Sequence, residues 1–167
     1  MAFAAEGAEP IETGRLLLEP LSAEHAAEMA PVLADPALYV FTGGEPPSAA
    51  ELGERYGRQS RGRSADGRRL WLNWIVRERE GGAAVGYVQA TVEPEGGAAE
   101  VAWVVGTRFQ GRGFAREAAG TMVAWLRERG GVVTAYVHPD HAASQSVARA
   151  VGLEPTAVVR DGEVRWA

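Results

Sequence analysis

The most informative stretch of the chain is residues 100–129, which read EVAWVVGTRFQGRGFAREAAGTMVAWLRER. Side chains along residues 100–105 alternate with the period of two that is typical of a strand. A glycine-rich segment follows at residues 106–113, and apolar side chains then recur at helical spacing: Ala118, Met122, Trp125 and Leu126. The stretch therefore predicts a strand, a glycine-rich loop and an amphipathic helix in succession.

The loop from Gln110 to Ala115 has the features of an anion-binding helix start. A glycine-rich helix start leaves backbone N–H groups free at the positive end of the helix dipole, where they suit a pyrophosphate. Arg112 and Arg116 add positive charge, and the glycines allow close approach. The spacing matches neither the dinucleotide-binding fingerprint nor the P-loop, so a purely structural turn remains an alternative.

Further strands and helices surround this unit. Alternating patterns and turn signals predict strands at residues 15–19, 70–77, 85–92, 132–137, 156–160 and 164–166. Helical spacing and capping signals predict helices at residues 22–33, 49–61 and 142–151, the second with a Ser48–Glu51 capping box. Residues 1–12 are small and acidic without apolar periodicity, which predicts a flexible tail. Residues 13–167 then form a single α/β (α+β) domain with a mixed, mostly antiparallel twisted sheet of about six to seven strands and about four flanking helices.

Composition excludes several chemistries. The chain has 167 residues and a formal net charge of -5, which fits one globular domain. The absence of cysteine excludes thiol nucleophiles, thiolate zinc sites, iron–sulfur clusters and disulfides. All 17 basic residues are arginine, which excludes Schiff-base chemistry and a phosphate-binding lysine. We expect no metal.

Charge and hydropathy also limit the partners. The acidic balance argues against nucleic acid binding, and the arginines of residues 55–69 are interpreted as a solvated helix face and loop. No basic leader and no apolar window of about 18 residues is present, so neither a signal peptide nor a membrane span is expected. These observations predict a cytoplasmic protein, either a monomer or a homodimer.

Several motifs along the chain together resemble the GNAT superfamily of acyl-CoA-dependent N-acyltransferases, specifically its Rim-type branch of ribosomal-protein N-terminal acetyltransferases. The sharpest is Gln110-x-x-Gly113-x-Ala115. The others are Thr13-Gly14-Arg15-Leu16, Asp35-Pro36, Val85-Gly86-Tyr87, the strand at 100–105 and the segment 138–144, HPDHAAS. The resemblance extends from residue 13 to about residue 155 and implies a GNAT-like domain that uses acetyl-CoA.

The resemblance also implies where the co-substrate binds. The pyrophosphate would lie on the loop formed by Gln110, Gly111, Arg112, Gly113, Phe114 and Ala115. A bulge in the family's strand near Trp103, Val104 and Val105 would admit the pantetheine arm and supply a backbone N–H to the oxyanion. Ser144 matches a residue near the pantetheine arm. His141 stands where the branch has asparagine, and is either a titratable partner of that arm or a surface cap.

Amide formation from a thioester requires a deprotonated amine, stabilisation of an oxyanion and a proton for the leaving thiolate. Glu100 lies on the strand that the resemblance places beside the acetyl group, and could accept the amine proton directly or through water. It could also be only a charged residue at a strand edge. Ser144 is the matched candidate for protonating the thiolate, and Tyr136 is the alternative acid.

The acceptor pocket is expected to contain Tyr39 and Phe41 from the loop at 39–47, together with Trp71, Asn73 and Tyr87 from the hairpin. The overall acidity mildly favours a cationic acceptor. The sequence thus predicts transfer of an acetyl group from acetyl-CoA to a primary amine, on a protein N-terminus or a small molecule. The alternative is a non-catalytic acyl-CoA-binding or sensor module with the same fold.

Overall fold

The computed structural model describes residues 2–167. Its strands are β1 (Ile11–Glu12), β2 (Leu16–Pro20), β3 (Leu70–Glu78), β4 (Ala84–Glu93), β5 (Ala98–Val105), β6 (Val132–Val137), β7 (Pro155–Arg160) and β8 (Glu163–Trp166). Its helices are α1 (Ala26–Val32), α2 (Ala49–Gln59), α3 (Phe114–Glu128) and α4 (Ala142–Ala150). Across the described residues, no helix has both the length and the apolar composition needed to cross a membrane.

All the strands form a single sheet in the order β1-β2-β3-β4-β5-β6-β8-β7. Neighbouring strands run antiparallel except β5 and β6, which run parallel because α3 connects them. The side chains of successive strand residues point to opposite faces, so Trp74 packs in the core cluster that includes α3 while Ile75 packs in the one that includes α1 and α2. Helices therefore cover both faces of the sheet.

The predicted fold class is confirmed, although the sheet has eight strands rather than six to seven. The additional strand is β1, whose two residues are too short to show a pattern in the sequence. It lies within the predicted tail at residues 1–12, of which Met1 is outside the described residues. The rest of that segment is packed against the domain, because Phe3 is buried in the core and the Glu9 carbonyl accepts a hydrogen bond from Trp74 Nε1 at 2.8 Å. The domain boundary at residue 13 is therefore too late.

The two parallel strands separate partway along their length. β5 pairs with β6 only from Ala98 to Val101, whereas its pairing with β4 continues without a register shift to Val105. The prediction of a bulge in β5 near Trp103 and Val104 is therefore wrong, since the described strand is regular there. Beyond this point β5 pairs only with β4, and the last two residues of β6 pair only with β8, which lies on the other side of β6. The separation leaves an opening between β5 and β6.

Candidate functional site

The loop before α3 carries a series of free backbone donors. Gly111 and Gly113 have φ angles of +78° and +79°, a region that glycine adopts without strain. The backbone N–H groups from Gly111 to Arg116 donate to no acceptor within residues 2–167. Because they lie at the positive end of α3, the loop has the geometry of an anion site.

Arg15 holds this loop in place, a role that sequence reasoning missed although the residue belongs to a quoted motif. Its Nη1 donates to the Arg112 carbonyl at 2.8 Å and its Nε pairs with Glu117 at 2.8 Å. Burial alone raises the pKa of Glu117, but hydrogen bonds from Thr13 and Arg15 bring that pKa below its usual value. A carboxylate in the first turn of α3 is thereby kept ionised and neutralised by Arg15.

The two predicted cationic residues of the loop differ in their surroundings. Arg112 pairs with Glu78 at 2.8 Å, and its guanidinium lies over the Phe114 ring at 4.4 Å, so part of its charge is already compensated. Arg116 has no ion-pair partner in the described chain. Gln110 donates from its side-chain amide to the Val105 carbonyl at 3.0 Å, which fixes the loop to the end of β5.

His141 and Ser144 lie together at the start of α4. The Nδ1 atom of His141 accepts a hydrogen bond from the Ser144 backbone N–H at 3.4 Å, so the imidazole caps the helix. The ring stacks on Phe41 with centroids 4.5 Å apart. Burial, and then the nearby His138, lower the pKa of His141. The neutral ring therefore carries its proton on Nε2, which can act as a donor.

A cavity between α2 and the β3–β4 hairpin has two adjoining lobes, an inner one of about 260 Å³ and an outer one of about 320 Å³. The two lobes share four lining residues: Arg55, Gln59, Asn73 and Gln89. Of the residues predicted for the acceptor pocket, Trp71, Asn73 and Tyr87 line this cavity, Trp71 only in the outer lobe. Tyr39 and Phe41 do not line it. The Tyr39 hydroxyl donates to the Leu33 carbonyl at 2.8 Å, and Phe41 packs on His141. Tyr39 and Phe41 therefore lie outside this cavity, because the loop at 39–47 packs against α1 and the start of α4.

Sequence reasoning missed the wall that α2 contributes: Arg55, Tyr56, Arg58 and Gln59. The signal that could have revealed it was helical spacing. Leu52 and Tyr56 are buried and lie on one face of α2, so Arg55 and Gln59 flank that face and reach the cavity. The arginines at the start of the 55–69 segment are thus not merely a solvated surface.

The Tyr56 hydroxyl is buried and has no hydrogen-bond partner within the described chain. Burial raises the pKa of Tyr56 to about 12, against an opposing effect of Arg55. Buried hydroxyl groups are normally hydrogen-bonded, so an unpaired one on a residue that lines a cavity is a candidate contact for a ligand.

Glu100 and Tyr136 lie on the same face of the sheet as the cavity. Glu100 pairs across the sheet with Thr91, which lines the outer lobe, and side chains of directly paired residues point to one face. Arg160 joins the two predicted catalytic residues. Its guanidinium makes a two-point ion pair with Glu100, with Nη1 3.2 Å from Oε2, and lies 3.7 Å from the Tyr136 ring centroid. Sequence reasoning assigned no role to Arg160.

The structure thus brings together two groups of predicted residues. The loop at 110–115 adjoins the end of β5, and Glu100 adjoins the outer lobe of the cavity, on whose face Tyr136 also lies. Within residues 2–167, no cluster of three or more His, Cys, Asp or Glu side chains could hold a metal ion. The chemistry available at the site is anion binding, hydrogen bonding and proton transfer.

Comparison with protein families matches residues 15–154 to the acetyltransferase (GNAT) domain. Comparison with curated proteins finds no match. Among solved structures, RimL, a ribosomal L7/L12 alpha-N-protein acetyltransferase in complex with coenzyme A, is 16% identical with a TM-score of 0.76, covering 95% of this chain and 96% of that one.

Two further solved structures are similar to the chain. The microcin C7 self-immunity acetyltransferase MccE, in complex with acetyl-CoA and AMP, is 12% identical with a TM-score of 0.75, and 92% of each chain is covered. An acetyltransferase from Agrobacterium tumefaciens str. C58 is 21% identical with a TM-score of 0.74, covering 99% of this chain and 95% of that one. At these identities the likeness shows the fold.

Proposed function

Because the chain belongs to the GNAT acetyltransferase domain family and is therefore an acyltransferase, we propose that it transfers an acetyl group from acetyl-CoA to a primary amine. In this proposal the amine, on a small molecule or a peptide, attacks the thioester directly. The expectations of a cytoplasmic location, of a monomer or homodimer, and of neither metal nor nucleic acid remain part of the proposal.

The observation that carries the proposal is the run of free N–H groups from Gly111 to Arg116 beside the opening between β5 and β6. A pyrophosphate is a dianion, and its oxygens suit the donors at a helix start. The opening gives an extended thioester arm a path into the sheet. Two similar structures are complexes with coenzyme A or acetyl-CoA, which supports the same assignment.

Acetyl-CoA supplies the acyl group in an activated, thioester form. In the proposed reaction Glu100 accepts the proton that the ammonium group loses, directly or through one water molecule. A backbone N–H of β5 near Trp103 or Val104 stabilises the oxyanion. Ser144 or Tyr136 donates a proton to the leaving sulfur. His141 presents Nε2–H near Ser144, where it can hydrogen-bond to the pantetheine arm.

One observation favours the second candidate, a non-catalytic acyl-CoA-binding module. The Glu100 carboxylate is already occupied by Arg160, and a base must be free to accept a proton. The side chains of Glu100 and Arg160 are 43% and 50% exposed, however. Ion pairs this exposed contribute only about 0–1 kcal/mol, so a cationic acceptor ammonium can compete with Arg160 for the carboxylate.

The test is release of free CoA thiol from acetyl-CoA across a panel of amines. Glu100→Gln should lower the rate at about pH 7 by roughly tenfold or more, since a positioned base usually contributes about 10²- to 10⁴-fold. Calorimetric titration should find acetyl-CoA affinity unchanged in that variant. The melting temperature should move by only a few degrees, because the ion pair is exposed.

Two results would contradict the proposal. A rate that is the same in Glu100→Gln and the parent from mildly acidic to mildly alkaline pH would remove Glu100 as the base. Acetyl-CoA binding without thiol release for any amine would favour the binding module instead.

A further inference from the structure

The mouth of the cavity carries two arginines that form no ion pair in the described chain, although Glu51, one turn earlier in α2, interacts electrostatically with Arg55. Arg55 and Arg58 line it, and neither has an ion-pair partner within residues 2–167. No Asp, Glu or His side chain lines either lobe. The region is therefore cationic even though the whole molecule has a net charge of -5.

Three of the other arginines near the proposed reaction centre are neutralised, whereas Arg116 at the start of α3 is not neutralised by any of the described residues. Arg15 pairs with Glu117, Arg112 with Glu78 and Arg160 with Glu100. The chain has 22 acidic residues against 17 basic ones, so acidic partners are abundant. Arg55 and Arg58 are exposed, and other exposed arginines are also unpaired in the part of the chain that the structure describes. These two differ in that both line one cavity whose lining includes no carboxylate, which suits an anion from outside the chain.

A second observation at the same cavity also points to a ligand. Tyr56 is 4% exposed and lines the inner lobe, and its buried hydroxyl has no hydrogen-bond partner among residues 2–167. The amide side chains of Asn73, Gln89 and Gln59 line the same space. Together with the arginines, these groups offer several donors, which suits a ligand rich in acceptor oxygens.

We propose that the acceptor is a small amine of about amino-acid size that carries an anionic group, a carboxylate or a phosphate. Arg55 and Arg58 hold the anion, Tyr56 donates to one of its oxygens, and the amine points toward Glu100 beyond Thr91. A volume of about 260 Å³ in the inner lobe suits a molecule of this size, since a water molecule takes up about 30 Å³. This inference rests on the proposed function. Overall charge favours a cationic acceptor, whereas the local charge at this cavity favours an acceptor that also carries an anionic group.

The experiment compares matched amines at equal concentration of the unprotonated form. One pair is an amino acid and its carboxamide, and the other is phosphoethanolamine and ethanolamine. We expect kcat/KM for the anionic member of at least one pair to exceed that of its neutral partner by about tenfold or more, equivalent to one good charge-assisted contact. The pair with the larger ratio identifies the anion.

Variants then assign the preference to residues. Arg55→Gln and Arg58→Gln should each bring the ratio toward one, while Arg55→Lys should keep part of it because the charge remains. Arg61→Gln is the matched control, since Arg61 is exposed like Arg55 and Arg58 but does not line the cavity. Equal kcat/KM within both pairs, or a preference that persists in Arg55→Gln and Arg58→Gln, overturns the inference and leaves the acetyltransferase proposal intact.

Direct binding separates failure of the inference from failure of the proposed function. If no amine releases thiol, the proposed function fails, and titration calorimetry with phosphoethanolamine and with the amino acid decides the inference alone. Binding to the parent that is lost in the Arg55→Gln, Arg58→Gln double variant supports the anion site. No binding of either compound to the parent overturns it.

Discussion

His141 joins two parts of the molecule through a single side chain. Its Nδ1 atom caps α4, and its ring stacks on Phe41 from the loop after α1. Protonation removes the Nδ1 lone pair, so the charged ring cannot accept from Ser144. Burial and the neighbouring His138 lower the pKa of His141 from its ordinary value of 6.5, which means that the unfolded chain takes up this proton more readily than the folded one.

We therefore predict that His141 destabilises the fold as the pH falls below about 6.5. A lowered folded-state pKa gives stability that is present above the unfolded value and is lost as the pH falls toward the folded value. His141→Asn keeps a good N-cap without a titration. Urea unfolding between about pH 7.5 and pH 5.5 should show a shallower loss of stability in the variant, and parallel curves would show that His141 does not contribute.

The titration of His141 should also affect the affinity for acetyl-CoA. The donor from His141 is Nε2–H. Protonation keeps this donor but breaks the Nδ1 hydrogen bond that orients the ring, so acidification should weaken acetyl-CoA binding. His141→Asn should keep the parent's affinity at about pH 8 and flatten its profile within roughly one unit of the histidine pKa. Calorimetric titration at several pH values measures this, and identical profiles would mean that the imidazole only caps α4.

At the scale of elements, the loop before α3 depends on Gly113. Its φ of +79° is strained for residues with a side chain, and a Cβ there would lie 3.4 Å from Arg15 Nη2. Gly113→Val should therefore displace the free N–H groups and raise the dissociation constant for acetyl-CoA by about tenfold or more. Gly96→Val is the control, because a Cβ at Gly96 meets nothing within 4 Å. An unchanged dissociation constant in a folded Gly113→Val protein would remove this loop as the binding site.

Gly86 lets β4 and β5 approach each other beside the opening. A Cβ at Gly86 would lie 2.1 Å from the Val104 carbonyl oxygen, so Gly86→Ala must push the backbones apart and should destabilise the protein by about 1–3 kcal/mol. Gly120 lies within α3, where an added Cβ would meet nothing within 4 Å, and Gly120→Ala should stabilise by about 0.5–1 kcal/mol. Thermal unfolding should show melting temperatures that move in opposite directions. Similar values for the two variants would contradict this account of the strand contact.

Local signals were enough to predict most elements of this fold. The Ser48–Glu51 capping box starts α2 as predicted, and Asp161 and Gly162, with φ angles of +51° and +81°, form the predicted terminal turn. What could not be predicted depends on contacts between distant residues. Arg160 reaches Glu100 across 60 positions, and Phe41 reaches His141 rather than the cavity. Periodicity gives the face on which a side chain lies, but not which neighbour it meets.

At the scale of the whole molecule, the packing of the N-terminal segment also depends on contacts between distant residues that local sequence signals do not predict. Its composition is typical of a flexible tail, yet Phe3 packs on Trp125 with ring centroids 6.3 Å apart and Ala4 donates to the Arg129 carbonyl at 2.9 Å. A single aromatic residue has no periodicity to reveal it. The position of the segment depends on a gap between β4, β5 and the end of α3 that exists only once these elements have packed.

Acid stability is a property of the whole molecule, and one cluster joins β2, α1 and β3. Arg77 Nη2 lies 3.2 Å from Glu19 Oε1 and 2.7 Å from Glu28 Oε1, and His25 also contacts Glu19. The hydrogen bond from His25, with those from Arg77, lowers the pKa of Glu19, and the hydrogen bond from Arg77 lowers the pKa of Glu28. Both carboxylates are therefore harder to protonate in the folded chain than in the unfolded one.

Lowered folded-state pKa values give stability that is complete above the unfolded value, near 4.5 for these glutamates, and is lost as the pH falls through the folded values. We predict that Arg77→Gln makes the loss of stability between about pH 5 and pH 3 shallower. In the variant, the number of protons that the unfolded chain binds in excess of the folded chain is smaller. Arg69→Gln is the control, since Arg69 and Glu93 are 58% and 60% exposed and 3.7 Å apart. Urea unfolding across this range measures the slopes. Equal slopes in Arg77→Gln and the parent would mean that the acid sensitivity arises from other carboxylates with a lowered pKa, which are Asp35, Glu51, Asp66 and Glu117.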